Sequence, residues 1–290
     1  MIRYVKRQEL DEEKYNQCIQ SALNSRIYAY SWYLDCVADH WDALIFNDYE
    51  AVMPLPWRQK YFIKYVYPPA WTQQLGVFSK NKIEASLMKE FINLIPKKFK
   101  KVTIQFNSDN DVSFLKTTKR DNYILPLNKH YEEIYKGFNK NRNRDLKKAL
   151  LKDYKIDEEI SSNEFLNFYL NKSKNYYLNK NQIIIIKSLL NLKNESVHIW
   201  GIRDDEKLIA SLVWLKDENR ITYLLPIATL QAKENSLPTL LISELISKYK
   251  HSSYIIDFEG SMIKGVSDFY KSFGAIKENY YLYMKKTDIF

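Results

Sequence analysis

Residues 254–283 read YIIDFEGSMIKGVSDFYKSFGAIKENYYLY, and the fold is decided there. Tyr254, Ile255, Ile256 and Phe258 form the short apolar run of a buried strand, with Asp257 and Glu259 where that run ends. Gly260 and Gly265 bracket a turn. Val266, Phe269, Tyr270 and Phe273 then recur at helical spacing, and Gly274 is placed to end that helix. Residues 280–284 are a further strand candidate. The order is strand, turn, helix, strand. Carboxylates and a serine at the carboxyl end of a strand, before a glycine turn, stand where open α/β sheets put ligand sites.

A chain of 290 residues is comfortable for two domains, at about 150 residues each. Its 46% hydrophobic content and 23 tyrosines indicate a folded protein rather than a disordered one. No apolar run reaches the roughly 18 residues of a membrane span. The opening MIRYVKRQELDEEKY lacks the apolar core of a signal peptide, so a cytoplasmic location is expected. Cys18 and Cys36 lie in helical patterns among apolar residues and read as inert thiols. His40, His130, His198 and His251 show no metal-ligand spacing, so a metal enzyme is not expected. The net charge is +9, and residues 136–155 hold eight basic residues against two acidic ones, which points to a local anionic partner.

Helices are expected at 11–24 and 28–39, then strands at 41–46 and 50–57 joined by Asn47-Asp48. Residues 58–79 suggest a strand, an irregular aromatic loop and another strand; that loop either lines a site or packs as core. An amphipathic helix at 83–95, ended by Pro96, precedes strands at 102–106 and 123–127. The second half opens with helices over 131–153. A strand at 155–160, helices at 163–175 and 181–192, and strands at 197–203, 208–216 and 220–226 come next. A helix at 237–250 leads into the deciding stretch. The expected class is α/β (α+β), in two domains, 1–127 and 128–290.

In the basic segment 139–150, Asn139 or Asn141 is a suitable N-cap. Leu146, Ala149 and Leu150 share one helical face, with Arg142 and Asn143 on its flanks, while Arg144 and Lys148 point away. Arg142 is thus the cation directed inward. Three readings stand in order: a solvated basic face, an anion site made by Arg142 near the helix start, and nucleic-acid contact.

The patterns D-F-E-G-S and G-V-x-x-F-Y-x-x-F-G-A, the closing tyrosine-rich strand and the block 142–148 together resemble the GNAT superfamily, and within it the Fem-type aminoacyl (peptidyl) transferases. The resemblance implies two GNAT-like domains, each a mixed, largely antiparallel sheet flanked by helices, with the first a degenerate copy. It implies transfer of an aminoacyl or other acyl group to an amine, with aminoacyl-tRNA as one donor and the basic block near the meeting of the domains. GNAT proteins usually hold acyl-CoA on a glycine-rich loop, Q/R-x-x-G-x-G/A. The equivalent segment here, 229–240, has no glycine, which speaks against acyl-CoA and implies no cofactor firmly. A small anion site at 235–239 stays open.

Acyl transfer to an amine needs positioning, a path for the proton and donors for the developing oxyanion. On a regular strand Asp257 and Glu259 share a face, so either can hold the amine; capping the following helix is their structural alternative. Ser261 and Lys264 can orient a carbonyl or carboxylate, and Arg142 an anionic group. Tyr223 and, from the first half, Tyr67, Trp71, Gln73 and Gln74 are candidate walls and hydrogen-bond donors, or core residues. The rival expectation is a non-catalytic protein of the same fold that binds a small anion or a cell-envelope precursor.

Overall fold

The computed structural model describes residues 1–172, 178–192 and 194–286. Its first strand, β1 (Ile2–Lys6), pairs antiparallel with β2 (His40–Phe46) across two intervening helices, α1 (Glu12–Ser21) and α2 (Ser31–Val37). Asp11 starts α1 by accepting the Lys14 N–H at 3.1 Å. The turn after β2 leads to β3 (Ala51–Lys60), which pairs with β2, β4 (Ile63–Val66) and the short β5 (Phe78–Ser79). Helix α3 (Ala85–Asn93) then carries the chain to β6 (Phe99–Phe106), parallel to β4. Leu44, Met53, Phe91, Phe99 and Phe106 form the core of this unit. Cys18 is buried with its thiol toward the Phe78 carbonyl, and burial pushes its pKa up to about 12, as suits an inert packing residue.

Strand β7 (Thr117–Pro126) leads into a second unit, Asn122–Lys277. Helices α4 (Tyr131–Lys136) and α5 (Lys140–Ala149), strand β8 (Ile156–Asp157) and helices α6 (Ser162–Lys172) and α7 (Lys180–Leu190) come first. Positions 173–175 of the expected 163–175 helix lie outside the described residues. An antiparallel run follows: β9 (Val197–Asp204), β10 (Lys207–Lys216) and β11 (Arg220–Ala228). The 217–219 turn between the last two is held by the Asp217 carboxylate, which accepts the Asn219 and Arg220 N–H groups. Helices α8 (Leu230–Glu234) and α9 (Leu237–Tyr249), strand β12 (Ile255–Asp257), helix α10 (Lys264–Lys271) and strand β13 (Ile276–Lys286) complete the chain. The strand order in this unit is β7-β12-β11-β10-β9-β8, with one parallel pair, β11 and β12. Trp200, Trp214, Leu241, Ile256 and Phe258 are buried in its core. Among the described residues no helix is long and apolar enough to cross a membrane.

The two compact units do not divide where a linear reading divides them. The chain from Glu278 on groups with Met1–Asp121, because β13 pairs with β6, Tyr281 opposite Phe106 and Lys285 opposite Val102. A tyrosine-rich strand carries no mark of which sheet will take it; only pairing decides that.

Gly274 ends the deciding helix as its spacing predicts, with φ +80°. A Cβ added there would stand 3.1 Å from the Gly137 carbonyl oxygen, so the close approach of the two backbones requires glycine at 274. Gly274→Ala is expected to cost about 1–3 kcal/mol through left-handed strain and that contact. Urea unfolding measures it, and an unchanged midpoint would contradict the close approach.

Candidate functional site

The site is built where two strands part. On β11, Leu224 is an extra residue: Val213 faces Leu225 while Trp214 faces Tyr223. Such a bulge bends a strand and increases its twist. Strand β12 runs beside β11 for three residues, the last pair being Thr222 and Asp257, and stops. Aromatic rings fill the fork beyond that pair. Tyr223 and Phe258 lie 5.7 Å apart, and Phe258 stacks on Tyr270 at 4.8 Å. The carboxyl end of β12 therefore lies beside the β11 bulge and this aromatic cluster.

Asp257 is only 1% exposed. Its carboxylate accepts from Arg220 Nη1 at 2.8 Å, Asn122 Nδ2 at 2.9 Å and the Glu259 N–H at 2.9 Å. A buried carboxylate needs such compensation. Its contacts hold the turn together. The expectation that Asp257 and Glu259 share a strand face is corrected here, because β12 ends at Asp257 and Glu259 has φ +57°, followed by Gly260 at +54°. A non-glycine residue in the left-handed region is uncommon, and such strain concentrates at functional sites. Neither carboxylate caps α10, whose N-cap position is Ile263 without a side-chain bond. Ser261 accepts the Ile263 N–H at 3.0 Å, and Lys264 is exposed and paired with Asp268.

Arg142 is buried, as its place on the α5 face predicts, while Arg144 and Lys148 are exposed. Asn139 caps the helix by accepting the Arg142 N–H at 2.9 Å. Leu150 departs from the expected face: it lies just past the last helical residue and is exposed. The Arg142 Nε donates to Ser272 Oγ at 2.9 Å, and Nη1 to Thr239 Oγ1 and, more weakly, to Asp145. The guanidinium lies over the Phe269 and Phe273 rings at 4.4 and 4.8 Å. Burial lowers the Arg142 pKa and raises that of Tyr223 well above its usual value, the nearby Arg142 charge partly offsetting the latter shift. Arg142 and Tyr223 thus flank the aromatic cluster that also packs behind Asp257. Arg142→Lys is expected to cost about 1–3 kcal/mol, because one ammonium cannot reproduce the fork that reaches Ser272 and Thr239. Thermal and urea unfolding read this out, and an unchanged stability would show that the fork contributes nothing.

Segment 229–240, where a glycine-rich loop would lie, folds as α8, a left-handed Ser236 with φ +59°, and the first turn of α9 with Pro238 in it. Thr229 caps α8 by accepting the Ala232 N–H.

The remaining predicted residues belong to the first unit. Tyr67 exchanges hydrogen bonds with Asp39, accepting its N–H at 2.9 Å and donating to its Oδ1 at 3.0 Å, under the Arg58 guanidinium. Trp71 has φ +63°, and its carbonyl accepts from the Tyr33 hydroxyl. Gln74 donates to Gln73 Oε1 at 2.8 Å, and the Gln73 carbonyl accepts from Gln105. Trp71 Nε1, Thr72 Oγ1 and Gln74 Oε1 are buried without a hydrogen-bond partner. Tyr67, Thr72 and Gln73 line a small hollow with Pro54, Pro56 and Gln105. A larger hollow of about 500 Å³ lies in the second unit between 152–157 and 203–205, and none of the predicted residues lines it.

Arg220, Asn122 and Ser272 escaped the sequence reading, and Thr239 entered it only as the end of the open anion site at 235–239. Arg220 had one signal: a lone cation beginning an apolar strand, with an acidic residue on the next strand for it to meet. Among the described residues no group of three or more His, Cys, Asp or Glu side chains is placed to hold a metal ion.

No family model matches the chain, and no curated protein matches it in sequence. Solved structures do. The crystal structure of FemX superposes with a TM-score of 0.73 at 9% identity, covering 94% of this chain and 96% of that one. A conserved protein of unknown function from Bacteroides thetaiotaomicron gives 0.61 at 10% identity over 98% and 100%. The C-terminal domain of a putative lysylphosphatidylglycerol synthetase from Agrobacterium fabrum gives 0.61 at 10% over 94% and 91%. The fold is GNAT-like, a mixed α/β architecture of largely antiparallel strands flanked by helices.

Proposed function

We propose that this chain is a Fem-like acyltransferase that moves an aminoacyl or other acyl group onto an amine. The observation that carries the reading is the turn at the end of β12, where buried Asp257, paired with Arg220, holds Glu259 in a left-handed conformation at the fork of the sheet. In this reading Glu259 orients the acceptor amine and takes its proton, and Asp257 is the positioning residue behind it. Arg142 offers an anionic group of the donor or acceptor its Nη2, which takes no acceptor among the described residues, Nε and Nη1 being the nitrogens bound to Ser272, Thr239 and Asp145. Ser261 and Tyr223 border the reacting atoms. The helical 229–240 segment favours an aminoacyl donor, such as aminoacyl-tRNA, over acyl-CoA.

Thermal-shift measurements against acyl-CoAs, aminoacyl-tRNA mimics and cell-wall precursor fragments test this, followed by turnover of whatever binds. The expected result is a shift with an aminoacyl donor and transfer of its labelled acyl group to an amine. Binding of both partners without transfer would sink the enzyme reading. It would favour a non-catalytic protein that keeps the fold and binds a small anion or envelope precursor, which the full compensation of Asp257 also suits.

A further inference from the structure

The β3–β4 hairpin closes on a two-residue loop, Tyr61-Phe62, with Lys60 opposite Ile63. Both loop residues have positive φ, 47° and 66°. This is the two-residue hairpin turn that Asn-Gly satisfies without strain. Bulky residues in that region are outliers and destabilise the turn. Packing compensates little, since Tyr61 is 82% and Phe62 95% exposed, with the Lys60 ammonium 5.3 Å over the Tyr61 ring. Two large apolar rings stand in water on a turn that suits neither.

The flanks of this tip are basic. Strand β4 lies parallel to β6, with Lys64 beside Phe99. Lys60, Lys64, Lys97, Lys98, Lys100 and Lys101 therefore come from adjoining segments, and neither 58–64 nor 97–101 contains an acidic residue. Arg58 is taken by Asp39 at 2.9 Å. The Lys98 pKa is lowered by burial and further by Lys64 and Lys6, as packed like charges require; Asp42 opposes the shift. Asp42 is itself buried and accepts from Trp57 Nε1 and the Tyr4 hydroxyl.

We propose that the Tyr61-Phe62 tip inserts into the interfacial layer of an anionic lipid membrane, with the surrounding lysines on the headgroups. Aromatic rings favour that layer, and stable peripheral attachment takes two signals, apolar insertion and a polybasic patch. Single-stranded nucleic acid also pairs cations with rings, but it is held along a groove. Here the rings stand on a convex tip.

Co-sedimentation of the full chain with vesicles of phosphatidylcholine alone, and with added phosphatidylglycerol, tests this at low and high salt. Binding is expected on the anionic vesicles only, and is expected to fall in high salt. Tyr61→Asn with Phe62→Gly supplies the residues the turn prefers, so the unfolding midpoint should hold or rise while vesicle binding drops at least about tenfold. Lys60→Gln and Lys64→Gln should each weaken binding about fivefold. A lower midpoint in the Asn-Gly variant would assign the rings a structural role and overturn the proposal. So would undiminished vesicle binding by that variant, equal binding to neutral vesicles, or no binding by the native chain. Preferential capture of single-stranded RNA, lost with the same substitutions, would replace the lipid by nucleic acid.

Discussion

Asp257→Ala is expected to destabilise the second unit by about 3–5 kcal/mol, the range for removing one partner of a buried ion pair. Arg220 and Asp257 are 6% and 1% exposed, and Nη1 meets Oδ2 at 2.8 Å. Without the carboxylate, Arg220 keeps its charge and loses the carboxylate that meets its Nη1, in a place water hardly reaches. The Asn122 amide and the Glu259 N–H lose an acceptor in the same step. The size of the loss therefore reflects stranded groups rather than the net contribution of the pair. That distinction is measurable. Pairing Asp257→Leu with Arg220→Met should recover much of the loss, because a buried ion pair exchanged for apolar side chains is often near neutral. Urea unfolding of the single and double variants gives the cycle. Additive losses would mean that the two side chains do not depend on each other, and the account of the turn would fail with them.

The sequence shows most of this architecture and little of its wiring. Period-two and period-3.6 patterns placed the strands and helices of the second unit close to where they lie, and the α5 face put Arg142 inside. Those features are local, set by how a residue's own element meets the core. Apart from Leu150 at the end of α5, the failures are non-local. Alternation along β12 cannot be carried past Asp257, because the strand stops where its partner β11 diverges. The Arg220–Asp257 pair depends on parallel register across a crossover of two helices. Tyr61 and Phe62 lie in the 58–79 stretch that reads as strand, loop and strand, and nothing in their chemistry announces a turn that Asn-Gly would fill better. Residues that violate a local rule are where sequence reasoning should fail, and Glu259 and the Tyr61-Phe62 turn, among the several left-handed non-glycine residues of the chain, sit at proposed contact sites.

Glu259→Gln is expected to lower acyl transfer by about 10²–10⁴-fold while changing stability by no more than about 1 kcal/mol. The amide keeps the length of the side chain and one acceptor oxygen, so it tests the charge and the proton alone. Glu259 is half-buried at the end of β12, unlike Asp257 beside it, which is sealed in the core. The two neighbouring carboxylates should therefore separate cleanly: loss of Asp257 unfolds, and loss of the Glu259 charge stops turnover. Glu259→Gly sharpens the contrast. Removing the side chain relieves about 1–2 kcal/mol of left-handed strain. Glycine also gives back roughly 0.5–1 kcal/mol through the greater freedom of the unfolded chain. That variant should be inactive, which is the behaviour of a residue retained for chemistry against its backbone preference. Turnover that survives both substitutions would remove Glu259 from the mechanism. A marked loss of stability in the glycine variant would instead make the residue a structural support of the turn.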